Sequence, residues 1–146
     1  ADEQALADRV VSIWGEGEGD RLTVITGGEP MLQLDPELIE ELHDRGFRVA
    51  VESNGTLPAV EGIDWLCISP KAGTDVVQRS GDELKLVWPQ EGIDPAALER
   101  WDFANFLVQP MDCERREEAL EAAIRLVMER ARWRLSLQTH KLIGLP

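Results

Sequence analysis

A glycine turn, Thr26–Pro30, follows directly on the apolar, β-branched run Leu22–Ile25. Two consecutive glycines, Gly27 and Gly28, let the backbone adopt positive φ and let a ligand approach bare amide groups. The run before them is typical of a buried parallel strand. A buried strand that ends in glycines and a carboxylate, here Glu29, is a common way to build a binding site at the end of a sheet. Taken alone, these residues are equally consistent with an ordinary tight turn.

Polar residues also follow four other strand-like segments. In parallel α/β folds the carboxyl ends of the strands meet at one edge of the sheet, and ligands bind there. Together with the glycine turn, these residues bring hydroxyl, carboxylate, amide, amino and imidazole groups to one rim, and we predict a ligand site at that rim. The four segments are Glu52–Thr56, Ser69–Lys71, Gln109–Asp112 and Gln138–Lys141.

Each of these residues also has a purely structural explanation. Asn54 and Gly55 form a standard turn pair. Asp112 is placed to cap a helix that begins at residue 113, where its carboxylate would accept backbone N–H bonds. Lys71 fits a solvated loop, and His140 fits a structural histidine.

Lys85 is harder to explain as a surface residue. It lies between Leu84 and Leu86 in a strand-like segment, so its side chain points to the face opposite the leucines. That position suits a lined cavity better than a packed core. An ion pair with Glu83, or with another acid on the same face, is the structural alternative.

Helices and strands alternate along much of the chain, the pattern of a parallel sheet with crossover helices. Six strands are too few for a closed eight-stranded barrel and favour an open or partial one. A flavodoxin-like layered sheet is the competing architecture. We predict one domain over residues 1–146, with helices at 3–14, from 36 to a stop at Gly46, briefly after Asp94 and at 113–130, and strands at 21–25, 47–51, 65–68, 83–88, 103–108 and 133–137.

The composition narrows the classes of partner. The chain has 146 residues, 43% of them hydrophobic, and a net charge of −13. So acidic a surface repels phosphate backbones and anionic lipid, so neither nucleic acid nor a membrane is expected as a partner. No apolar run is long enough to span a bilayer, and no secretory signal is present. The two cysteines, Cys67 and Cys113, match no CxxC or zinc spacing, which favours a reduced, cytoplasmic protein with Cys67 buried.

The rim residues match a known pattern. The glycine turn resembles the GGEP motif of radical S-adenosylmethionine (SAM) enzymes, a motif shared by many of them and by related activases. In combination with the other segments, the chain resembles the 7-carboxy-7-deazaguanine synthases from the first strand to Pro146. The segments that carry this resemblance are Thr26–Pro30, Glu52–Thr56, Ser69–Lys71, Asp82–Val87, Gln109–Asp112 and Leu137–Lys141.

The resemblance implies a partial (β/α)₆-type barrel and a lyase reaction. In that reaction, 6-carboxy-5,6,7,8-tetrahydropterin undergoes radical ring contraction to 7-carboxy-7-deazaguanine with loss of ammonia, a step towards queuosine and other 7-deazapurines. The implied cofactors are SAM, a [4Fe-4S] cluster and Mg²⁺, and the implied assembly is a homodimer.

The resemblance also implies roles for residues at the rim. Gly28 and Glu29 would hold the methionyl amino group of SAM, since backbone carbonyls and a carboxylate accept from an ammonium. Thr26 and the free α-carboxylate of Pro146 would contact the pterin substrate, with Glu52 and His140 as further substrate contacts. The residues that would line the nucleoside part of SAM are Ser69, Pro70, Lys71, Gln109, Pro110, Met111 and Asp112.

One family feature has no match in residues 1–146. The family places a cysteine triad after its first strand, and such thiolates ligate the cluster. Only Cys67 and Cys113 are present, and the Mg²⁺-binding threonine beside the triad has no counterpart. We therefore expect a carboxyl-terminal portion of such an enzyme, incomplete at its amino terminus, without metal ligands and inactive alone. The alternatives are a non-catalytic SAM- or pterin-binding module and a radical SAM activase.

Overall fold

The computed structural model describes residues 2–145 and contains one sheet of six parallel strands in these residues. No helix within this range is both long and apolar enough to cross a membrane. A 3₁₀ turn spans Pro30–Leu32. The strands are β1 (Arg21–Ile25), β2 (Phe47–Ser53), β3 (Trp65–Ile68), β4 (Ser80–Trp88), β5 (Asp102–Pro110) and β6 (Trp133–Leu135), and the helices are α1 (Glu3–Trp14), α2 (Pro36–Asp44), α3 (Pro95–Leu98), α4 (Arg116–Glu129) and α5 (Thr139–Leu142).

The order of the strands in the sheet is the order of the strands in the chain, β1-β2-β3-β4-β5-β6. A flavodoxin-like sheet reverses direction at a switch point, whereas a barrel wall winds in one direction. Within residues 2–145 the winding never reverses, and the sheet formed by these residues does not close, because β1 and β6 are not paired with each other. The partial-barrel prediction is confirmed, and the flavodoxin-like alternative is wrong.

The two faces of the sheet differ in burial. On one face Val49, Leu84 and Val108 are completely buried, where α2 packs on β2 and α4 packs on β5 and β6. We call the opposite face the lumen face. Strand register places Glu52, Cys67, Glu83, Lys85 and Leu107 on it.

Local sequence signals fix where the first two helices begin and end. The side chain of Asp35 accepts a hydrogen bond from the Leu38 amide at 2.9 Å, and Pro36 occupies the first helical position of α2. Gly46, at φ +79°, donates its amide to the His43 carbonyl and ends that helix. Gly15 ends α1 and, like Gly46, has a positive φ, +73°. These predictions are confirmed.

The carboxyl-terminal third differs from the prediction. Helix α4 begins at Arg116 rather than 113, and Asp112 does not cap it, because the Asp112 carboxylate binds Lys141 and lies 3.9 Å from the Arg116 guanidinium. Strand β6 ends at Leu135, after which the chain turns into the short α5. A long-range ion pair therefore replaces the predicted local cap.

A charged cluster anchors the end of the sheet beneath β6. The Glu99 carboxylate accepts hydrogen bonds from Arg130 Nε (2.6 Å) and Nη2 (2.8 Å) and from Trp133 Nε1 (2.8 Å). The Trp133 ring is buried and meets Phe106 edge-on, with 5.4 Å between centroids. The Arg130 guanidinium lowers the pKa of Glu99. One carboxylate thus joins α3, the end of α4 and β6.

We predict that Glu99→Gln lowers the free energy of unfolding at pH 7 by about 1–3 kcal/mol, because an amide cannot accept from three donors. The Glu99 contribution is complete above the ordinary glutamate pKa of about 4.3 and is lost as the pH falls through the lowered folded-state pKa. The difference between the two proteins should therefore stay constant from pH 7 down to the ordinary glutamate pKa of about 4.3 and shrink at lower pH. Urea denaturation at several pH values measures it.

Glu118→Gln is the matched control, because its pair with Arg115 is exposed at the surface. Exposed pairs contribute roughly 0–1 kcal/mol, so this variant should stay close to the wild type. Equal losses in the two variants would contradict the role given to Glu99.

Candidate functional site

The predicted polar segments lie at one edge of the sheet. All pairings in the sheet are parallel, so the residues that follow β1, β2, β3, β5 and β6 share its carboxyl rim. Neighbouring ends are tied by backbone hydrogen bonds. The Ser69 amide donates to the Ser53 carbonyl at 2.8 Å, and the Met111 amide donates to the Trp88 carbonyl at 2.8 Å. These bonds join the end of β2 to the residue after β3, and the end of β4 to the residue after β5.

The glycine turn after β1 faces open space. Gly27 has φ +90° and Gly28 has φ +55°, and no atom lies within 4 Å of where a Cβ would stand on either residue. Thr26 is exposed beside them. A Cβ at Gly28 would point into open space. The turn thus has the form of a cradle for a ligand that approaches the backbone closely.

Glu29 fixes this turn to the next strand. Its carboxylate accepts from Ser53 Oγ at 2.7 Å, from the Asn54 amide at 2.8 Å and from the Met31 amide at 3.1 Å. A carboxylate offers about four acceptor positions, so these bonds leave about one for a ligand. The structure shows Glu29 as the link between the ends of β1 and β2, and its contact with SAM stays a prediction.

A buried hydrogen bond and close packing fix the conformation of the turn after β2. Ser53 is buried, and its Oγ accepts from the Gly55 amide at 3.0 Å. Gly55 has φ +76°, and a Cβ there would lie 2.8 Å from Ile68 Cγ2 and 2.9 Å from Val76 Cγ1. Only glycine fits this position, for both conformational and steric reasons. Asn54 accepts from the amide and the hydroxyl of Thr56, which is the turn that the sequence indicated.

The segment after β3 presents an amino group to the rim. Lys71 Nζ donates to Ser69 Oγ at 3.0 Å, and Pro70 is buried beneath them. Partial burial, with the nearby charge of Lys85 as a smaller cause, lowers the pKa of Lys71. Gln90, a residue not predicted from the sequence, follows β4. Its side chain accepts a hydrogen bond from the Ala72 amide at 3.0 Å and so supports this segment. The rule that pointed to the other strand ends would have found it.

Lys85 forms an ion pair on the lumen face, below the rim. This is the structural alternative that the sequence indicated for it. Lys85 Nζ lies 2.6 Å from Glu52 Oε1, and the acid is Glu52 rather than Glu83. The pair spans β3 at the buried Cys67, which is paired with Glu52 in the strand register. Burial, and secondarily the charge of Glu83, raises the pKa of the Cys67 thiol. Cys67 is therefore a neutral part of the wall.

A cavity of about 650 Å³ opens where β5 and the chain after β6 meet. This volume lies within the usual range for sites that bind small molecules. At the margin of this cavity, the hydrogen bond from the Lys141 ammonium lowers the pKa of the Asp112 carboxyl group. Most of the lining is apolar, and it includes Pro110, Met111, Asp112, Leu120, Leu137, Gln138, Lys141, Leu142 and Leu145.

The structure brings some of the predicted site residues together and leaves others apart. Gln109 is half-buried near the end of β5, next in sequence to Pro110 of the cavity lining. His140 lies in α5 with an exposed side chain. Among the hydrogen bonds of residues 2–145, none joins the His140 side chain to Glu52. Pro146, predicted to contact the substrate through its carboxylate, lies outside the described residues.

The described residues do not fit a cluster or a metal ion. Within 2–145, no group of three or more His, Cys, Asp or Glu side chains is arranged to hold a metal. Cys67 is buried and Cys113 is half-buried, and both are free. The glycine turn is open to an amino group, and the separate cavity beside Met111 is apolar and large enough for a small organic group.

We predict that Gly55→Ala destabilises the rim more than Gly73→Ala does. The two glycines have nearly equal φ, +76° and +78°, but a Cβ at Gly73 meets nothing within 4 Å. Positive φ costs both variants about 1–2 kcal/mol, and the overlap at Gly55 adds roughly 1–3 kcal/mol. Denaturant unfolding of both variants measures this difference, and equal losses would show that the contacts around Gly55 relax freely.

The chain matches no family model, but it is similar over its whole length to curated proteins. It is 49% identical to the 7-carboxy-7-deazaguanine synthase of Bordetella pertussis and 51% identical to that of Caulobacter vibrioides, covering 70% of each. Its fold matches a crystal structure of QueE from Escherichia coli with a TM-score of 0.72 and 25% identity, over 94% of this chain and 64% of that one. By sequence and by fold, the chain belongs to the 7-carboxy-7-deazaguanine synthase family.

Proposed function

We propose that the complete polypeptide is a cytoplasmic, homodimeric radical SAM lyase. It converts 6-carboxy-5,6,7,8-tetrahydropterin to 7-carboxy-7-deazaguanine with loss of ammonia, in the biosynthesis of queuosine and related 7-deazapurines. The observation that carries the proposal is the convergence of five family segments on one rim of a partial barrel. Because the chain covers about 70% of its curated relatives, the activity is proposed for the whole protein, and the cluster and Mg²⁺ are not assigned to residues among 1–146.

The glycine cradle would hold the methionyl end of SAM. The carbonyls around Gly28, and the remaining acceptor position of Glu29, suit an ammonium group, which only donates. When bound, SAM supplies the radical chemistry of the reaction. The residues of this chain bind and orient it, and the bonds from Glu29 to Ser53 and Asn54 keep the cradle at a fixed place relative to β2.

The nucleoside end of SAM would lie between Ser69–Lys71 and Gln109–Asp112, the two segments that the family resemblance indicates for it. Ser69, Pro70 and Lys71 form one wall, and their support by the bond from Ala72 to Gln90 gives that wall a fixed shape. Gln109–Asp112 forms the other wall beside the apolar cavity, which suits the flat surface of a purine.

The pterin would bind on the lumen side of the same rim. A fused amino-pyrimidine presents N–H donors along one edge, so it needs acceptors. Thr26 and Glu52 offer a hydroxyl and a carboxylate there. His140 and Pro146 complete the proposed contacts from the end of the chain.

The proposed reaction is tested directly on the full-length protein. The protein is reconstituted with iron and sulfide without oxygen and supplied with a one-electron reductant such as dithionite, SAM, Mg²⁺ and the carboxypterin. The product is identified by mass spectrometry together with the ammonia released. We expect 7-carboxy-7-deazaguanine that depends on every component. Reductive cleavage of SAM without conversion of the carboxypterin would contradict the proposed substrate.

A non-catalytic binding module is the second candidate. The observation that favours it is that residues 1–146 contain two cysteines, one of them buried, whereas cluster ligation uses more thiolates than this. We expect residues 1–146 alone to form no cluster and to cleave no SAM. If the full-length protein binds SAM by calorimetry but shows no iron–sulfur absorbance after reconstitution, the module replaces the enzyme.

We predict that Gly28→Val in the full-length protein raises the Kd for SAM by at least about tenfold, which is about 1.4 kcal/mol. The new side chain fills the open space of the cradle. Gly46→Val is the matched control, since it also places a β-branched residue at positive φ in open space, but at the end of α2. Calorimetric titration measures both. SAM binding weakened equally in the two variants would remove SAM from the glycine turn.

A further inference from the structure

The Glu52–Lys85 pair lies on the lumen face, the side of the sheet to which the substrate is assigned. Register places Glu52 on β2 opposite Cys67, Cys67 on β3 opposite Glu83, and Lys85 two residues beyond Glu83 on β4. The Lys85 side chain therefore reaches across a whole strand to make its 2.6 Å contact with Glu52. No other acidic partner of Lys85 is found among residues 2–145.

The two members of the pair differ in what they present to a ligand. The Glu52 side chain is 38% exposed, and that of Lys85 is 16% exposed. Lys85 holds Oε1 of the carboxylate, while Oε2 accepts no hydrogen bond from any residue in 2–145. The acid therefore faces the lumen with one free acceptor atom, and the lysine lies behind it.

The surroundings leave Lys85 as the group that controls this carboxylate. Cys67 beneath the pair is buried and neutral. Glu83 is a second carboxylate two strands away from Glu52, roughly 10 Å by strand spacing, so it repels Glu52 rather than holding it. Lys71 donates to Ser69 instead of to an acid. Without Lys85, Glu52 would lose its partner and its fixed direction.

On the basis of the proposed function, we infer that Lys85 is a positioning residue that acts through Glu52. It fixes the Glu52 carboxylate so that Oε2 accepts a hydrogen bond from an N–H group of the pterin. A side chain held in one rotamer by an ion pair loses little further freedom when a ligand binds, which is how preorganisation raises affinity. An N–H or O–H donor is required opposite an ionised carboxylate, and SAM also carries such donors on its ribose.

The test uses the full-length protein and compares Lys85→Met, Lys85→Arg, Glu52→Gln and the double variant Glu52→Gln/Lys85→Met. The readouts are the KM for the carboxypterin at saturating SAM and the calorimetric Kd of each ligand. We expect Lys85→Met to weaken carboxypterin binding by about tenfold, the loss of one hydrogen bond to a charged group, and to change SAM binding less than about twofold. Lys85→Arg, which retains the charge, should restore most of the affinity.

The double variant separates a positioning role from direct contact. If Lys85 acts through Glu52, Lys85→Met adds less than about twofold in the Glu52→Gln background, because coupled residues do not contribute independently. Multiplicative losses would overturn the inference in favour of a direct contact by Lys85. Equal weakening of SAM and carboxypterin would also overturn it, by assigning the pair to SAM or to general stability.

Arg45→Met serves as the control for loss of an ion pair away from the rim. Arg45 binds Asp8 and Glu41 at the end of α2, so its loss should affect stability but not the affinity for either ligand. If the wild type converts the carboxypterin normally and Lys85→Met binds it with unchanged affinity, the inference is overturned but the proposed function is not. A wild type that neither binds nor converts the carboxypterin overturns the proposed function, and this inference with it.

Discussion

The site depends above all on one carboxylate that connects two strand ends. Glu29 accepts from the Ser53 hydroxyl and the Asn54 amide across the gap between β1 and β2, and from the Met31 amide in its own turn. Without these bonds, the glycine turn would be an exposed loop beside an edge strand. With them, the open face of Gly27 and Gly28 is held at a fixed position relative to β2. A bond to a charged acceptor contributes more than a neutral one, so a single residue can fix this geometry.

The division of the sheet into two faces explains why the rest of the site can be polar. Valine and leucine side chains on one face pack beneath the helices and supply the core. Successive side chains of a strand point to opposite faces, and the helices pack on only one of them. The other face can therefore carry charged residues. Glu52 and Lys85 use that freedom, and they satisfy each other within a partly buried wall. The barrel-like winding brings this wall and the rim together.

Part of this arrangement could be predicted from the sequence. Local rules found most of the strands, the cap at Asp35, the stop at Gly46 and the polar strand ends, because each depends on residues close together in the chain. Interactions between distant residues could not be predicted. Asp112 follows a strand and precedes a helix, so its position predicts a helix cap. Its carboxylate instead accepts a hydrogen bond from Lys141, 29 residues away in the sequence. The choice of Glu52 rather than Glu83 by Lys85 likewise depends on strand register and side-chain reach.

The balance of charge on the lumen face follows from the same geometry. The chain carries a net charge of −13, which would make an unspecialised surface acidic. Lys71 at the rim and Lys85 on the wall below it, however, accompany Glu52 and Glu83, so two positive charges balance two negative ones. An uncompensated acidic wall would repel a substrate that carries a carboxylate of its own, and low solvent exposure would strengthen the repulsion. If the carboxypterin binds at this wall, as proposed, the lysines offset that repulsion, while Oε2 of Glu52 accepts no hydrogen bond from residues 2–145.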